Sequence, residues 1–485
     1  MIYFRNKKDK MKIKDLKLDQ RLDIYLKILY IKAYIEKDNF PFYQKLYQKH
    51  ILLYNWWFED NKKNINDFEK EFQNLILNIK KNWFNKNFPI PINKNWELLN
   101  WAHRLACCIY FNITPIFEKK EGKWIIWDFE WFEKNKFSQE EIIEILKENT
   151  NYNNYFFYII WPELLHKEKE IIKDIEKKWN LIWKINFKTN KNILNEFIKD
   201  LYSYDKWNIK WWLWIDKKII LLNKNKNNNI KILLFNNKEN FEQRNFKDKL
   251  REKYKKYVSI QDWTEHFYTF HSWEDKKENI YIKNIILNYK NLKNYTLRVP
   301  IEDNSKLIKN IIDFYNYCDK NNLNKSNFCI VWSSILEIFW LKKANDLDLI
   351  SLNINSWKLI QITNTLEIFE YNYSHIFTNK ELILNEKNHI YFRWLKIISP
   401  DIFLKIKLSF NRKKDVKDIK LLQNLSLNNN NSILKKIYFE LRYYKKKIII
   451  YFILFSIKYT KKIWIYKQIS YLWRKFILKN YKKWK

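Results

Sequence analysis

Apolar positions in the first 85 residues recur at helical spacing. Leu22, Leu26, Leu29 and Tyr30 fall on one face, and so do Phe68, Phe72, Leu75 and Ile79. The pattern predicts a helical region over 1–85 with these residues as core. From residue 86 the character changes. Short runs, Phe88 to Ile92, Leu98-Leu99 and the strand Thr114–Phe117, surround an apolar helix predicted over Leu105–Phe111. Residues 155–305 read as a mixed α/β middle domain. There Phe156 to Ile160 is an apolar run, and Lys217–Leu222 with Ile230–Phe235 predicts a hairpin across a polar loop. Residues 306–423 form a second α/β block. Asn424 to Ser432 reads as an Asn-rich linker, and 433–485 as a basic amphipathic tail. The expected class is α/β (α+β) and multidomain.

Composition changes this picture at one point. The chain has 485 residues, 24 Trp and 1 Gly, whereas ordinary chains carry Gly at about 7%. Many Trp stand where a turn needs glycine. Asn95-Trp96 separates two apolar runs in the manner of Asn-Gly, and Ser356-Trp357 does the same. Trp161-Pro162 follows an apolar run as Gly-Pro would. Trp56-Trp57 and Trp211-Trp212-Leu213-Trp214 read as Gly-Gly and Gly-Gly-Leu-Gly. The expectation is that UGA encodes glycine in this gene, an alternative genetic code, and that Gly122 comes from an ordinary glycine codon.

The net charge is +37, from 91 Lys+Arg against 54 Asp+Glu. A basic surface suits nucleic acid, nucleotides or anionic membranes. Lys, Asn, Ile, Phe and Tyr are all abundant, as an AT-rich gene makes them, so the charge alone selects no partner. Cys107, Cys108, Cys318 and Cys329 have neither metal-ligand spacing nor a disulfide framework. Met1 to Lys10 shows no apolar signal region, and no run approaches the ~20 apolar residues of a spanning helix. A cytoplasmic chain is expected. The tail has three readings: an interfacial helix on an anionic membrane, a terminal helix packed on the preceding domain, or an RNA-binding arm.

The strongest chemistry lies in Cys329-Ile-Val-Trp332-Ser333-Ser334 and in Ala344-Asn345-Asp346-Leu347-Asp348. With glycine at 332 this is an apolar strand, a Gly-Ser turn, a short helix, then a strand bearing Asp-x-Asp. The turn offers N–H groups and hydroxyls to phosphate. Strand alternation puts Asp346 and Asp348 on one face, ~7 Å apart, where two carboxylates suit Mg²⁺ and a triphosphate. The segment resembles the nucleotidyltransferase superfamily, whose signature is Gly-Ser followed by Asp-x-Asp. The resemblance covers about 306–423. It extends to Tyr391-Phe-Arg-Trp-Leu-Lys396, and Arg412-Lys-Lys-Asp415-Val-Lys-Asp418-Ile is similar to the closing helix of many such domains. It implies Asp346 and Asp348 as catalytic metal ligands and Trp332, Ser333 and Ser334 as the nucleotide-binding turn. The family's third carboxylate has no counterpart in Lys358–Thr363; Glu367 and Glu370 follow it.

A second motif, Asn100-Trp101-Ala102-His103-Arg104, opens the helix predicted at 105. His and Arg in a first helical turn, beside free N–H groups, suit phosphate. The segment from about 80 to 125, within a block spanning 86–150, resembles the ParB/sulfiredoxin-like fold. That resemblance implies phosphate binding by Trp101, His103 and Arg104, with Asn100 where the family has an acidic residue. Asp262–His266 and His271–Asp275 cluster His with carboxylates, but in no defined metal spacing, and read as polar loops.

The order of blocks resembles that of bacterial proteins associated with surface-polysaccharide genes. The expected function is a Mg-dependent transfer of a nucleotidyl or phosphoryl group from a nucleoside triphosphate to a sugar or small-molecule acceptor. The alternative is a non-catalytic nucleotide-sensing or nucleic-acid-binding protein with a degenerate transferase domain. A third carboxylate within metal-binding reach of Asp346 and Asp348 discriminates between them, and its absence favours the alternative. The glycine reading has its own check: codons 96, 101 and 332 are expected to be UGA, and UGG at these positions refutes it.

Overall fold

The structure, a computed structural model, describes residues 13–54, 62, 64–204, 209–223, 228–236, 243–258, 269–272, 276–298, 301, 305–352, 360–368, 376–410 and 412–427. In chain order it begins with α1 (Leu22–Glu36), α2 (Phe40–Tyr54), α3 (Ile65–Asn82), β1 (Ile90–Ile92), α4 (Ala102–Tyr110) and β2 (Phe117–Lys119). Next come α5 (Phe129–Lys134), α6 (Gln139–Tyr152), β3 (Tyr155–Ile160), α7 (Glu168–Glu176), β4 (Asn180–Phe187), α8 (Lys191–Leu201) and α9 (Ile209–Leu222). Then follow β5 (Ile230–Asn236), α10 (Gln243–Tyr254), β6 (Phe270–Ser272), α11 (Lys276–Ile286), α12 (Tyr289–Asn294) and α13 (Lys306–Lys320). The last part holds β7 (Phe328–Val331), α14 (Ser333–Ile338), β8 (Leu347–Ser351), β9 (Ile360–Thr363) and β10 (Leu366–Ile368). It ends with α15 (Asn379–Leu384), β11 (His389–Phe392), β12 (Leu395–Ile398), α16 (Pro400–Phe410) and α17 (Val416–Leu427). The class is α/β, as the hydrophobic pattern predicts.

The chain divides into two units. Unit 1 takes 1–160, 164–186 and 231–279; unit 2 takes 161–163, 187–230 and 280–485. Residues 155–305, expected as one middle domain, are therefore shared between two bodies. The reason is strand pairing: β5, far along the chain, lies beside β3 in the sheet β4-β5-β3-β6.

In unit 1 the expected helical start is present. Helix α1 packs against α2, α4 and α6 and is buried nearly all round, at Leu22, Ile24, Tyr25, Ile28 and Ile31 among others. Asn64 and Ser138 close capping boxes with Asp67 and Glu141, which fixes the starts of α3 and α6. β1 and β2 pair in parallel, Ile90 opposite Phe117, with α4 as the crossover. The predicted helix at 105 begins at Ala102, and the strand expected at 114 begins at Phe117.

The hairpin expected from Lys217–Leu222 and Ile230–Phe235 is not formed. Only the second half is a strand; Lys217–Leu222 is the last part of α9. Buried Ile215, Ile219 and Leu222 carry a helical period that the run Ile219–Leu222 hides in the sequence. Likewise the linker expected from Asn424 begins inside α17, which runs to Leu427. The tail 433–485 lies outside the described residues.

Backbone conformation bears on the Trp positions. Among the described residues twelve non-glycine residues take positive φ, and six of these are Trp83, Trp96, Trp101, Trp332, Trp340 and Trp394. Such backbone suits glycine and costs an L-residue about 1–2 kcal/mol. At Trp340 the Leu341 N–H donates to the Leu336 carbonyl (2.8 Å) and the Trp340 N–H to the Glu337 carbonyl (2.9 Å), the paired bonds of a Schellman helix end. Arg393 and Trp394, both at positive φ, form the two-residue turn of the β11–β12 hairpin. Trp161 and Trp183 lie outside that region, fully buried, with no hydrogen-bond partner for either indole N–H.

Unit 2 centres on a six-stranded sheet, β11-β12-β7-β8-β10-β9. β7 runs parallel to β12 and antiparallel to β8; β10 runs parallel to β8. A core of Phe314, Cys329, Ile330, Leu347, Leu349, Ile397 and their neighbours covers it. A buried ionic knot ties three chain segments of this unit together. Asp200 on α8 accepts from Arg298 (2.6 Å), the Tyr295 hydroxyl (2.8 Å), and both the backbone N–H and the guanidinium of Arg393 (2.9 and 2.6 Å). Glu196, one helical turn earlier, accepts from the same Arg393 (2.9 Å). All four charged side chains are essentially inaccessible to solvent. Removing one partner leaves the others charged and buried, which costs about 3–5 kcal/mol. Asp200→Asn is expected to lower stability by about that amount, read as a lower urea midpoint; an unchanged midpoint contradicts the assigned role.

Candidate carboxylate site in the six-stranded sheet

The site begins where β7 ends. Val331 is the last strand residue, Trp332 turns the chain at φ 58°, ψ −139°, and Ser333 opens α14. Three side chains of α14 then pin the return segment. The Ser333 hydroxyl donates to an Asp346 carboxylate oxygen (3.2 Å), the Ser334 hydroxyl to the Asp346 carbonyl (2.9 Å), and Glu337 accepts from the Ala344 N–H (2.8 Å). Asp346 is thus held just before β8, and Asp348 is the second residue of that strand.

A third carboxylate stands beside them. β10 pairs in parallel with β8, and the register sets Glu367 opposite Asp348. Partners in register share a face, so Asp348 and Glu367 lie on adjacent strands about 4.7–4.9 Å apart in the pairing direction. The electrostatics agree. Burial, then the charge of Asp346, then that of Glu367 push the Asp348 carboxyl up to about 7. A carboxylate crowded by like charges favours a proton or a cation.

The sequence shows Glu367 but sets it after the strand that ends at Thr363, where it has no clean place. The strand does stop there, but a two-residue turn restarts it at Leu366. No glycine marks that turn. Asn310 on α13 holds it from outside, exchanging hydrogen bonds with Thr365 through both ends of its amide (2.9 Å each), and the Leu347 N–H donates to the Thr365 carbonyl (2.8 Å). Glu370 lies outside the described residues.

Two cations lie against the Trp332 ring. Lys407 Nζ and the Arg412 guanidinium carbon each lie 5.2 Å from its ring centroid. They belong to a network in which Lys407 meets Asp415 (2.5 Å) and Asp418 (3.2 Å), Arg412 meets Asp415 (2.6 Å), and Lys342 meets Asp418 (3.1 Å). The closing Asp415/Asp418 segment therefore packs beside the Ser333 turn.

Among the described residues no group of three or more His, Cys, Asp or Glu is gathered closely enough to hold a metal ion by itself. Magnesium seldom needs such a cage: one or two carboxylates, substrate phosphates and water complete its octahedron. Asp346 and Asp348, hard oxygen donors on one edge, fit that donor set.

The motif at 100–104 lies in unit 1. Trp101 precedes α4 in the left-handed region (φ 65°, ψ 35°), and the Asn100 side chain accepts from its N–H (2.6 Å). His103 turns inward: its Nε2 meets the Tyr47 hydroxyl (3.0 Å) and its ring stands edge-on to Phe72. Burial, then the nearby Lys27, hold His103 well below its usual range. A neutral imidazole contributes no charge to phosphate. Arg104 lies against the rings of Phe84, Phe88 and Trp101 and donates to the Phe88 carbonyl (3.1 Å). Beneath them is a charged group not read from the sequence. Arg21 (2.8 Å) and Lys27 (2.9 Å) share Asp23 inside the helical core; burial raises that carboxyl, but the two cations together hold it far below its usual range. A helical period shows an apolar face and cannot show which charged residues inside it will pair.

Of the two His-carboxylate clusters only His271 and Ser272 are described, on β6. No described helix is long and apolar enough to cross a membrane. Comparison with family models, curated proteins and solved structures finds no match to this chain.

The electrostatic account of Asp348 is directly measurable. Carboxyl carbon NMR is expected to show it titrating near 7, and Glu367→Gln is expected to lower that midpoint by removing one like charge. A midpoint unchanged by the substitution separates Glu367 from the site.

Proposed function

We propose that unit 2 carries a Mg²⁺-dependent site for transfer of a nucleotidyl or phosphoryl group from a nucleoside triphosphate to a sugar or small-molecule acceptor. The carrying observation is Asp348, pushed up to about 7 by burial and by the charges of Asp346 before it and Glu367 in register beside it. Three like charges crowded without a cation destabilise one another, and functional sites are where such crowding is retained. The alternative, a degenerate, nucleotide-sensing domain, keeps one observation in its favour: Glu367 pairs in register with Asp348, yet among the described residues no three carboxylates are gathered closely enough to hold a metal ion.

The same proposal reads Trp332 and Trp101 as glycine. Trp332 occupies the turn where phosphate would approach the backbone. Its φ of 58° with ψ −139° is a conformation that glycine adopts without strain. Magnesium bound at the carboxylates would neutralise charge on the transferring phosphate. Asp346 is oriented for that role by the Ser333 hydroxyl, which donates to its carboxylate, and by the Ser334 hydroxyl, which donates to its carbonyl. In this reading Glu367 would take the acceptor's proton as the acceptor oxygen bonds to phosphorus and the leaving phosphate departs. His103 and Arg104, on a separate body, would bind a second phosphorylated ligand through Arg104 and the α4 N–H groups, His103 being neutral. A role in surface-polysaccharide assembly rests on block order alone.

The pH dependence follows from the raised carboxyl. Metal binding needs Asp348 deprotonated, so affinity for Mg²⁺ is expected to fall as pH drops through about 7. The decisive experiment uses the full chain with glycine at 101 and 332. Replacing Asp346 and Asp348 together by Asn is expected to abolish Mg²⁺-dependent nucleotide turnover. Turnover that survives the double replacement rejects the proposal.

A further inference from the structure

Resting on the transfer reading of Asp346, Asp348 and Glu367, we infer that Asn310 is a positioning residue of that site: through Thr365 it sets the strand register that keeps Glu367 beside Asp348. Little else fixes that register. β10 has three residues, Leu366–Ile368. Its antiparallel pairing with β9 shifts between Leu366 and Glu367, so β9 offers no continuous ladder at the glutamate. Its parallel pairing with β8 sets Leu366 opposite Leu347, Glu367 opposite Asp348 and Ile368 opposite Leu349. The four apolar partners are buried in the core, whereas Asp348 and Glu367 are only partly buried and alternate to the other face. A slip of one residue would send Glu367 into that core.

One peptide group opposes the slip. The Thr365 carbonyl, at the entrance of β10, accepts from the Leu347 N–H (2.8 Å) and from Asn310 Nδ2 (2.9 Å). Leu347 is the residue between the two aspartates. This carbonyl therefore ties the strand bearing Glu367 to the strand bearing the pair, and two donors fill its two lone pairs. The Thr365 hydroxyl donates to Asn310 Oδ1 (2.9 Å), and its N–H donates to Thr363 Oγ1 (3.2 Å), so every polar group of Thr365 is bonded. Asn310 is itself firmly seated. It lies on α13 beside Leu307, Ile311 and Phe314, in the helix's buried stripe, and is 5% exposed. An amide in an apolar stripe costs free energy unless it is bonded. Here both its ends go to Thr365. A leucine would suit the stripe and lose the register.

The test is a double-replacement cycle in the full chain with glycine at 101 and 332, read as Mg²⁺-dependent nucleotide turnover. Asn310→Leu is expected to lower kcat about a hundredfold, the cost of misplacing a reacting group by ~1 Å, with KM for the nucleotide unchanged. Thr365→Val breaks only the hydroxyl bond and disturbs folding least; it is expected to lower kcat about tenfold. Thr365→Ser, which keeps the hydroxyl, is expected to retain the parental kcat. In a chain already carrying Glu367→Gln, Asn310→Leu is expected to add no further loss, because Asn310 acts through Glu367. Losses that multiply, or parental kcat in both Asn310→Leu and Thr365→Val, overturn the inference. The register is also read without turnover, by cross-strand nuclear Overhauser contacts between the Asp348 and Glu367 backbones in metal-free protein. These are expected in the parent and weakened in Asn310→Leu and Thr365→Val; contacts unchanged in both variants overturn the inference whatever the turnover. A parent chain without turnover whose contacts are lost in the variants sinks the transfer reading and leaves the register clamp standing.

Discussion

Unit 2 is organised around Asp200. This carboxylate on α8 holds Arg298 and Arg393, and through Arg393 it holds the turn between β11 and β12. Taking four charges out of water is costly, and the cost is offset only when every donor and acceptor is matched. Here nearly all are: Arg298 also donates to the Tyr391 carbonyl (2.5 Å), Asn291 accepts from both Arg298 (2.8 Å) and the Tyr391 N–H (3.0 Å), and Tyr295 adds to the carboxylate's shell, while the Arg298 Nε–H has no partner among the described residues. The consequence runs outward along the sheet. A fixed hairpin fixes β12, β12 lies beside β7, and β7 delivers Ser333 to Asp346.

The candidate site is a second solution to the same electrostatic problem, with the opposite outcome. In the knot, unlike charges alternate and neutralise one another. Near the start of β8 the like charges of Asp346 and Glu367 act on Asp348, and burial with that repulsion pushes its carboxyl up to about 7.

Much of this was legible in the sequence. The helical start, the strand–turn–helix at 328–338 and the strand bearing Asp348 follow from hydrophobic period and turn chemistry. Glu367 was not, because its register depends on Asn310, distant in sequence, holding a turn that lacks glycine. The last part of α9 was misread because an unbroken apolar run has no period to distinguish helix from strand. The pairing of β5 beside β3 is a long-range event, so the division of 155–305 between two units could not be read locally. His103 was legible in position but not in charge: its neutrality comes from Tyr47, Phe72 and Lys27, which lie on other helices.

The left-handed Trp residues tie the protein to the machinery that makes it. If the Trp codons from Trp56 onward are UGA, a ribosome that treats UGA as a stop releases a peptide ending at Asn55. That fragment holds α1 and α2 and neither the Trp101 nor the Trp332 turn. A ribosome that inserts tryptophan makes the whole chain but places a ring in the turn before Ser333. Only a cell with a glycine-charged tRNA for UGA would produce the chain with an open turn, so the gene would lose its chemistry on passing to a host with either other code.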